Sequence, residues 1–333
     1  MDNKKRTSTL LLLIVSIAVV ILAAIGILLN SNHNELAHGQ DNQDQEKQNQ
    51  VEDNSIDKEE EQVQQKPQSI NVLLIGFDKS NGLTDVIMVG NLDTDTNKVK
   101  LISLPRDLFI DFREENFKDI KKENNIGIRY CKLTEVYSNA GWDDNALLVV
   151  KDIVQEITNI NIDYTTAVNI DGFKQIVDSI GGVEFYVPKR MKYTDKYQDL
   201  YINLKEGLQV LDGDKAEQLV RNRKYYGNIP PDYQRMKIQQ DFLLAMTNKI
   251  ISIRDFDKIT DLAKTVYGLL KTDFGLLVVN EYVDYLYNLD LKELLKAENM
   301  TIIPSNGEKI DGIWYQTWDK EEVLESINSV YNN

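Results

Sequence analysis

Three short apolar runs near the start of the folded region predict three neighbouring strands. Each run has the length and the Val, Ile and Leu content of a buried strand. The runs are Val72–Phe77, Val86–Val89 and Val99–Leu104. The segment 93–98 between the last two is rich in Asp, Asn and Thr, which is typical of a hairpin turn. We therefore expect a β-meander at the front of the domain.

Charged residues flank these strands. Asp78 follows the first run, Asp85 precedes the second, and Arg106 and Asp107 follow the third. Side chains at strand ends are well placed to line a site on a rigid sheet. Ordinary strand-flanking polar residues are an equally good interpretation of this stretch alone.

Helical and strand patterns alternate over the rest of the chain. An apolar stripe and an N-cap predict a helix that begins near Asp143 or Asp144, and segments 112–128 and 189–211 are expected to be irregular. The other expected helices are Gly172–Ile180, one from Asp212 to about Arg221, Pro231–Ile253, Asp257–Leu270, Val279–Leu295 and one beginning at Asp319. The other expected strands are Tyr164–Ile170, Val183–Val187, Met300–Ile303 and Ile313–Thr317. The alternation predicts a three-layer α/β/α domain with a mixed central sheet.

The N-terminal region has a different pattern. Leu10 to Leu29 is an apolar run of roughly the ~20 residues that a helix needs to cross a bilayer, and Lys4, Lys5 and Arg6 precede it. The positive-inside rule then predicts a single-pass type II protein of the cell membrane, with its large domain outside. A cleaved signal peptide is the alternative interpretation.

The residues after the apolar run predict a solvated spacer. Residues 31–69 carry ten acids against three lysines and few large apolar side chains, so they cannot bury a core. We therefore expect a cytoplasmic tail at 1–8, a transmembrane anchor at 9–30, an acidic linker at 31–69 and one extracellular domain at 70–333.

Composition excludes several kinds of chemistry. A net charge of −15 without a basic stripe argues against nucleic-acid binding, and the single Cys131 excludes an internal disulfide. Both histidines, His33 and His38, precede the folded part, which removes His-based nucleophilic catalysis and the usual zinc sites. Carboxylates, Lys, Arg, Tyr and a hard metal ion held by oxygen ligands remain.

Carboxylates and basic residues together suggest a site for a metal-bound pyrophosphate. Two strand-end aspartates can hold Mg²⁺ through oxygen, and several arginines can grip phosphate in bidentate fashion. The candidates are Asp78, Asp85, Arg106, Lys132, Arg221, Arg223, Arg235 and Gln239. Taken separately, Arg221 and Arg223 are typical of an exposed helix end, and Gln239 of a solvated helix residue. The chain has no Walker-A loop and no dinucleotide-type glycine pattern.

Several segments resemble the LytR–CpsA–Psr family of Gram-positive cell-envelope proteins. They occur in the family's order between Leu73 and about Ile250. The segments are LLIGFD, TDVIMV, LISLPRD, KLTEVYSNAG, NIDGFKQIVDSIGGVEFYVP, LDGDKAEQLVRNRK and DYQRMKIQQ.

The resemblance implies a phosphotransferase, a glycopolymer–peptidoglycan ligase. Family members take a teichoic acid, capsule or other wall polysaccharide from an undecaprenyl-pyrophosphate carrier and attach it to peptidoglycan. Asp78 and Asp85 would hold Mg²⁺ or Mn²⁺. The pyrophosphate would lie among Arg106, Lys132, Arg221, Arg223, Arg235 and Gln239. Arg106, Asp85 and Asp107 would be catalytic, with Asp107 orienting an arginine.

The resemblance also implies an apolar tunnel for the lipid tail. Its candidate lining residues are Val150, Val154, Phe173, Val177, Phe185, Leu243 and Met246. For each of these residues, ordinary core packing is the alternative.

Two positions depart from the family pattern. Leu83 stands where the family has Arg, and Ile238 stands where a second basic residue often follows Arg235. Lys79 could partly replace the missing Arg, as a point charge without the fork geometry. The departures keep open a non-catalytic binder of lipid-linked polymer, an envelope regulator (transcriptional attenuator), and a polyprenyl-pyrophosphate pyrophosphatase.

Overall fold

The computed structural model describes residues 68–196, 200–223, 230–253, 256–274 and 295–331. None of the helices within these ranges combines the length and the apolar character needed to cross a bilayer. The expected anchor at 9–30 lies outside the described residues, and so do all but two residues of the expected linker at 31–69 and all but one of the expected helix at 279–295.

Six strands form the central sheet in the order β11-β6-β1-β2-β3-β12. The β1–β2, β2–β3 and β6–β11 pairs are antiparallel, and the β1–β6 and β3–β12 pairs are parallel. The described strands are β1 Ile70–Phe77, β2 Thr84–Asp93, β3 Lys98–Leu104, β4 Phe109–Asp111, β5 Tyr130–Lys132, β6 Tyr164–Val168, β7 Val183–Val187, β8 Met191–Asp195, β9 Leu200–Leu204, β10 Gly207–Leu211, β11 Lys271–Thr272, β12 Met300–Ile302, β13 Asn306–Ile310 and β14 Ile313–Thr317. The prediction of an α/β fold with a mixed central sheet is confirmed.

Helices pack on both faces of this sheet. The described α-helices are α1 Glu115–Glu123, α2 Val136–Asn139, α3 Asp144–Thr158, α4 Ile170–Ser179, α5 Gly213–Arg221, α6 Pro231–Ile251, α7 Phe256–Leu269 and α8 Lys320–Tyr331. Several begin at an aspartate or asparagine cap: Asp143 accepts a hydrogen bond from the Ala146 amide, and Asp212 accepts one from the Lys215 amide. Such caps satisfy amides that the first helical turn leaves without partners.

The alternation of β1 side chains divides the core in two. Ile70, Val72 and Leu74 point to one cluster, which α4, α5 and α6 cover. Residues 73, 75 and 77 point to the opposite cluster, which α1, α3 and α8 cover. Because successive strand residues face opposite sides, a sheet buried on both faces needs a continuous apolar sequence, and β1 has one.

The C-terminal helix is fastened to the end of the sheet where β1 begins. Lys100 is buried on β3, and its Nζ donates to Asp93 Oδ2 at 2.7 Å and to the Tyr331 carbonyl at 2.8 Å. The Tyr331 hydroxyl lies 3.2 Å from Asn71 Oδ1 at the start of β1. The two ends of the described domain therefore lie side by side.

Two expectations about irregular segments are wrong. Segment 112–128 contains α1, and segment 189–211 contains β8, β9 and β10. Helix α1 buries only Phe117, so it lacks the apolar stripe that sequence patterns detect. Strand β9 does alternate between buried and exposed positions. The strand is short and lies in a polar stretch, so the alternation of its apolar residues with Tyr201 and Asn203 is not apparent from the sequence.

Candidate active site

A short loop after β1 is closed around Asp78. Asp78 Oδ1 accepts hydrogen bonds from the Gly82 amide at 2.9 Å and the Leu83 amide at 3.1 Å. Its Oδ2 accepts a hydrogen bond from the Ser80 hydroxyl at 2.6 Å. The carboxylate is buried and fixed by its own loop, and both oxygens keep lone pairs that a metal ion could share.

Asp85 is the extra residue of a β-bulge. Gly76 pairs with Val86 and Phe77 pairs with Thr84, so the register skips Asp85. Bulges change the direction of a side chain and occur often beside active sites. The bulge places the Asp85 carboxylate in a buried position, where it accepts a hydrogen bond from Arg106 Nη1.

Burial dominates the titration of Asp85. Removal from water raises the pKa of Asp85 to about 7, against the opposing charges of Arg106 and Arg235, and Asp78 and Asp107 raise the pKa further. Asp85 Oδ2 has no hydrogen-bond partner among the described residues. An unpaired buried carboxylate oxygen is unfavourable unless a cation or a donor approaches it.

The LPRD segment delivers Arg106 and Asp107 at the end of β3. Arg106 is buried, and its Nε lies 3.9 Å from Asp107 Oδ1. Lys132 at the end of β5 reaches the same Asp107 oxygen at 3.1 Å. The Thr134 amide donates to the Arg106 carbonyl at 2.8 Å, which fixes the backbone beneath these charges. Asp107 therefore holds two cations beside Asp85.

Helix α6 adds a third cation from the other side. Arg235 is 1% exposed, and its Nη1 lies 3.0 Å from Asp232 Oδ1, one turn earlier. Burial is the main influence that lowers the pKa of Arg235. Neither its Nε nor its Nη1 makes a hydrogen bond to a described residue. Nη1 therefore faces Asp232 only as an ion pair, and a phosphate oxygen could accept a hydrogen bond from the unsatisfied Nε.

Two residues expected on the surface are buried. Arg221 is 2% exposed and pairs with Glu217 Oε1 at 2.5 Å, and Gln239 is 1% exposed and donates to the Val220 carbonyl at 3.3 Å. The surface interpretation of these two residues is wrong, because the end of α5 packs against α6 and covers both side chains.

The other candidate basic residues lie further out. Arg223 is half-buried just beyond α5, and Lys79 is exposed on the Asp78 loop. The structure brings Asp78, Arg106, Asp107 and Arg235 close enough to Asp85 to act on its charge, and Lys132 joins them through its ion pair with Asp107. Their roles in binding and catalysis stay predictions.

Two acidic partners of this cluster were not predicted from the sequence. Asp232 faces Arg235, Arg106 and Lys132, and Glu217 faces Arg221. Their spacing carried the signal, because residues three or four apart on a helix are neighbours. Asp232 precedes Arg235 by three, and Glu217 precedes Arg221 by four.

Trp142 lies over the Asp78 loop in an unusual conformation. Its φ is +68°, and 57% of the residue is exposed. The indole Nε1 donates to the Ser138 carbonyl at 2.8 Å, and the Trp142 carbonyl accepts from the Tyr137 hydroxyl at 2.9 Å. A Cβ built on Gly82 would come within 3.1 Å of Cη2 of the indole. A bulky residue with positive φ is an outlier, and such strain persists only where neighbours hold it.

The donor set fits a hard divalent cation. No group of three or more His, Cys, Asp or Glu side chains is arranged for a metal ion in the described part of the chain. Asp78 and the unpaired Oδ2 of Asp85 offer oxygen ligands, which Mg²⁺ and Mn²⁺ prefer. Such an ion would need phosphate or water oxygens to complete its shell, as is usual where Mg²⁺ binds a phosphate substrate.

The expected tunnel residues do not all line one space. Val150 and Val154 belong to the cluster beneath α3, on the opposite face of the sheet from the others. The remaining candidates Phe173, Val177, Phe185, Leu243 and Met246 share the cluster beneath α4 and α6. The seven residues therefore divide between the two faces of the sheet, and the tunnel itself stays a prediction.

The family model described as LytR_cpsA_psr matches residues 27–331. The chain belongs to the LytR_cpsA_psr family. A curated relative from Oceanobacillus iheyensis is 25% identical over 94% of this chain and 88% of its own, and its name is polyisoprenyl-teichoic acid–peptidoglycan teichoic acid transferase TagU. The resemblance of the LytR–CpsA–Psr segments and the expectation of a transferase are thereby confirmed.

Solved structures show the same fold. Bacillus subtilis TagV matches with a TM-score of 0.61 at 20% identity, over 80% of this chain and 96% of its own. TagT bound to LIIa-WTA matches with a TM-score of 0.58 at 21% identity, over 80% and 90% of the two chains. These likenesses support the LytR_cpsA_psr fold of the chain.

Proposed function

We propose that this LytR_cpsA_psr protein transfers a glycopolymer from an undecaprenyl-pyrophosphate carrier to peptidoglycan. The observation that carries the proposal is the convergence of Arg106 and Arg235 on the buried Asp85, beside the Asp78 loop, with Lys132 held next to them by Asp107. Two buried guanidinium groups side by side suit a pyrophosphate better than any neutral ligand. The teichoic acid transferase name of its relatives supports the same chemistry.

The proposed reaction is a phosphoryl transfer. A hydroxyl of the peptidoglycan sugar attacks the sugar-linked phosphorus, a phosphodiester forms, and polyprenyl phosphate leaves with the bridging oxygen. The hydroxyl proton passes to a base. Catalysis of this kind rests on positioning and on stabilising the charge of the transition state.

The chain's own residues have defined tasks in this proposal. Arg106 and Arg235 hold the phosphate oxygens, while Asp107 orients Arg106 and Lys132. Asp78 and Asp85 would hold Mg²⁺ or Mn²⁺, which supplies charge neutralisation at the pyrophosphate. The membrane location and the extracellular domain belong to the proposal as well, because the carrier lipid must reach the site.

The first experiment measures transfer directly. Purified full-length protein is mixed with a short polyprenyl-pyrophosphoryl oligosaccharide, a peptidoglycan oligomer and Mg²⁺, and the sugar is followed by mass. We expect transfer that chelator abolishes and that Arg106→Ala lowers about a hundredfold, the cost of roughly 3 kcal/mol of transition-state stabilisation. Arg106→Lys keeps the positive charge beside Asp85. It should still lower the transfer rate about tenfold, since lysine lacks the bidentate geometry of the guanidinium group.

Arg113→Ala is the matched control. Arg113 forms an ion pair with Asp111 at 2.5 Å on an exposed surface, so its loss should leave the transfer rate unchanged. Phosphate release that does not need the acceptor would instead establish the pyrophosphatase. Carrier lipid that binds but never reacts, even with Leu83→Arg, would establish a non-catalytic binder.

A further inference from the structure

A groove of about 580 Å³ adjoins the charged cluster. Pro105 and Asp232 line its inner end, next in sequence to Arg106 and one helical turn from Arg235. From there it runs between the N-terminus of α6, the end of β12, the β13–β14 hairpin and α8. Its volume lies within the usual range for small-molecule sites.

The groove is fixed relative to the cluster. The Gln316 amide donates to the Asp107 carbonyl at 2.8 Å, and Trp318 Nε1 donates to the Phe109 carbonyl at 3.0 Å. These bonds attach the hairpin wall to the LPRD segment. A ligand held in the groove would therefore keep a constant position relative to Arg106.

The lining chemistry suits an uncharged sugar. Met236, Ile302 and Pro304 offer apolar surface, which the C–H face of a pyranose can contact. Ser305, Asn306, Gln316, Glu322 and Ser326 offer hydroxyl, amide and carboxylate groups for sugar hydroxyls and acetamido groups.

Charge decides which sugar chain fits. The described lining residues include two carboxylates, Asp232 and Glu322, and neither Lys nor Arg. A phosphate-rich polymer would be repelled by such a wall, whereas a neutral glycan would not. Because Asp232 also contacts Arg235 at 3.0 Å, a sugar hydroxyl at the inner end of the groove would lie beside the phosphate-binding donors.

We propose that this groove binds the acceptor, the uncharged acetamido-sugar chain of peptidoglycan, and directs one hydroxyl past Asp232 to the phosphorus. The assignment rests on the proposed function for its reaction, but the groove and its ligand class can be tested without transfer.

The test uses two groove variants of the full-length protein. Gly307→Leu fills the groove, since Gly307 lies opposite Gln316 on the hairpin and a Cβ there meets no atom within 4 Å. Glu322→Gln removes charge and acceptor strength without adding bulk. We expect the acceptor KM to rise at least tenfold in Gly307→Leu and severalfold in Glu322→Gln, with the donor KM unchanged within twofold.

Each variant has a matched control. Gly127→Leu adds the same side chain at another glycine whose Cβ has open space. Glu321→Gln makes the same change at the preceding exposed residue of α8, which does not line the groove. Neither control should change the acceptor KM.

A binding titration separates this proposal from the proposed function. A soluble peptidoglycan tetrasaccharide whose lactyl carboxyl groups are blocked as uncharged amides is titrated into each protein. Binding to the unmodified protein that Gly307→Leu abolishes supports the groove, even if no transfer occurs. An unchanged acceptor KM, a raised donor KM or no tetrasaccharide binding would each overturn the assignment.

Discussion

Single residues in this site are held in environments that cost free energy without a ligand. Arg235 is buried, and its Nε makes neither a hydrogen bond nor an ion pair with a described residue; Asp85 Oδ2 likewise has no hydrogen-bond partner among the described residues. Each group left this way costs about 1–3 kcal/mol. An anion and a cation that supply the missing contacts should therefore stabilise the fold.

Inorganic pyrophosphate with Mg²⁺ should raise the melting temperature. At a hundred times its dissociation constant a ligand adds about 2.7 kcal/mol, which corresponds to roughly 5–10 °C for a domain of this size. Thermal denaturation with and without the ligand measures the shift.

Arg235→Gln should remove most of that stabilisation. Lys237→Gln on the same helix is the control, because Lys237 forms only a surface pair with Asp241 at 2.9 Å. An equal shift with sulfate would show non-specific anion binding and contradict the prediction.

The conformation of Trp142 predicts an inverted order of stability for two substitutions. Left-handed backbone costs a non-glycine residue about 1–2 kcal/mol, and φ at Trp142 is +68°. Trp142→Gly relieves this strain and Trp142→Ala does not, so the Gly variant should be more stable by about 1 kcal/mol. Urea denaturation of both variants decides the order.

Trp314 supplies the opposite case. It is an exposed tryptophan on β14 without positive φ, so Trp314→Gly should be less stable than Trp314→Ala by about 0.5–1 kcal/mol. The same order at both positions would mean that Trp142 is not strained.

The positions of site residues were predictable where the end of a strand or helix fixes the direction of the side chain. Asp78, Asp85 and Arg106 flank apolar runs, so sequence placed them near one another. The burial of Arg221 and Gln239 depends on α5 packing against α6, which no local pattern encodes. The bulge at Asp85 depends on the register between β1 and β2, which only the structure reveals.

Among the elements, the β2–β3 hairpin and α8 share one charged contact. Lys100, buried on β3, joins Asp93 to the last described turn of α8. Although burial raises it, hydrogen bonds from Lys100 and from residues of the turn lower the pKa of Asp93 to about 2. The folded state therefore favours the ionised carboxylate.

Asp93→Asn should lower the free energy of unfolding at pH 7 by about 1–3 kcal/mol, because it leaves Lys100 buried beside a neutral group. A carboxylate whose pKa is lower in the folded state stabilises the protein at pH values above its pKa in the unfolded state, which is about 3.9. That contribution is lost as pH falls through 2. Urea denaturation should thus show a difference from the unmodified protein that shrinks between pH 4 and pH 2.

Asp95→Asn is the control, since Asp95 is exposed in the same turn. It should change stability by less than about 0.5 kcal/mol. A pH-independent effect of Asp93→Asn would contradict the assignment of the contact.

Long periodic elements were predicted well and short ones were not. Helices α3, α5 and α6 begin within a residue or so of their predicted caps. The strands β4, β5 and β11 have only two or three residues each. Elements so short owe their conformation to the neighbours with which they pair, and carry little periodicity of their own.

At the scale of the whole molecule, the site and the two ends of the described domain occupy opposite ends of the central sheet. The charged cluster lies where β1 ends and β2 begins, at Asp78 and Asp85. Ile70 and Tyr331 lie where β1 starts. Seven strand residues separate the two ends, roughly 23 Å at about 3.3 Å per residue.

This polarity makes the domain convenient to immobilise. A bead, a sensor surface or a fluorescent fusion joined after Tyr331 would be attached at the end of the sheet far from Arg106 and from the groove beside it. Large, insoluble wall fragments could then approach the site from solution, so surface-based assays with sacculi are feasible for this protein.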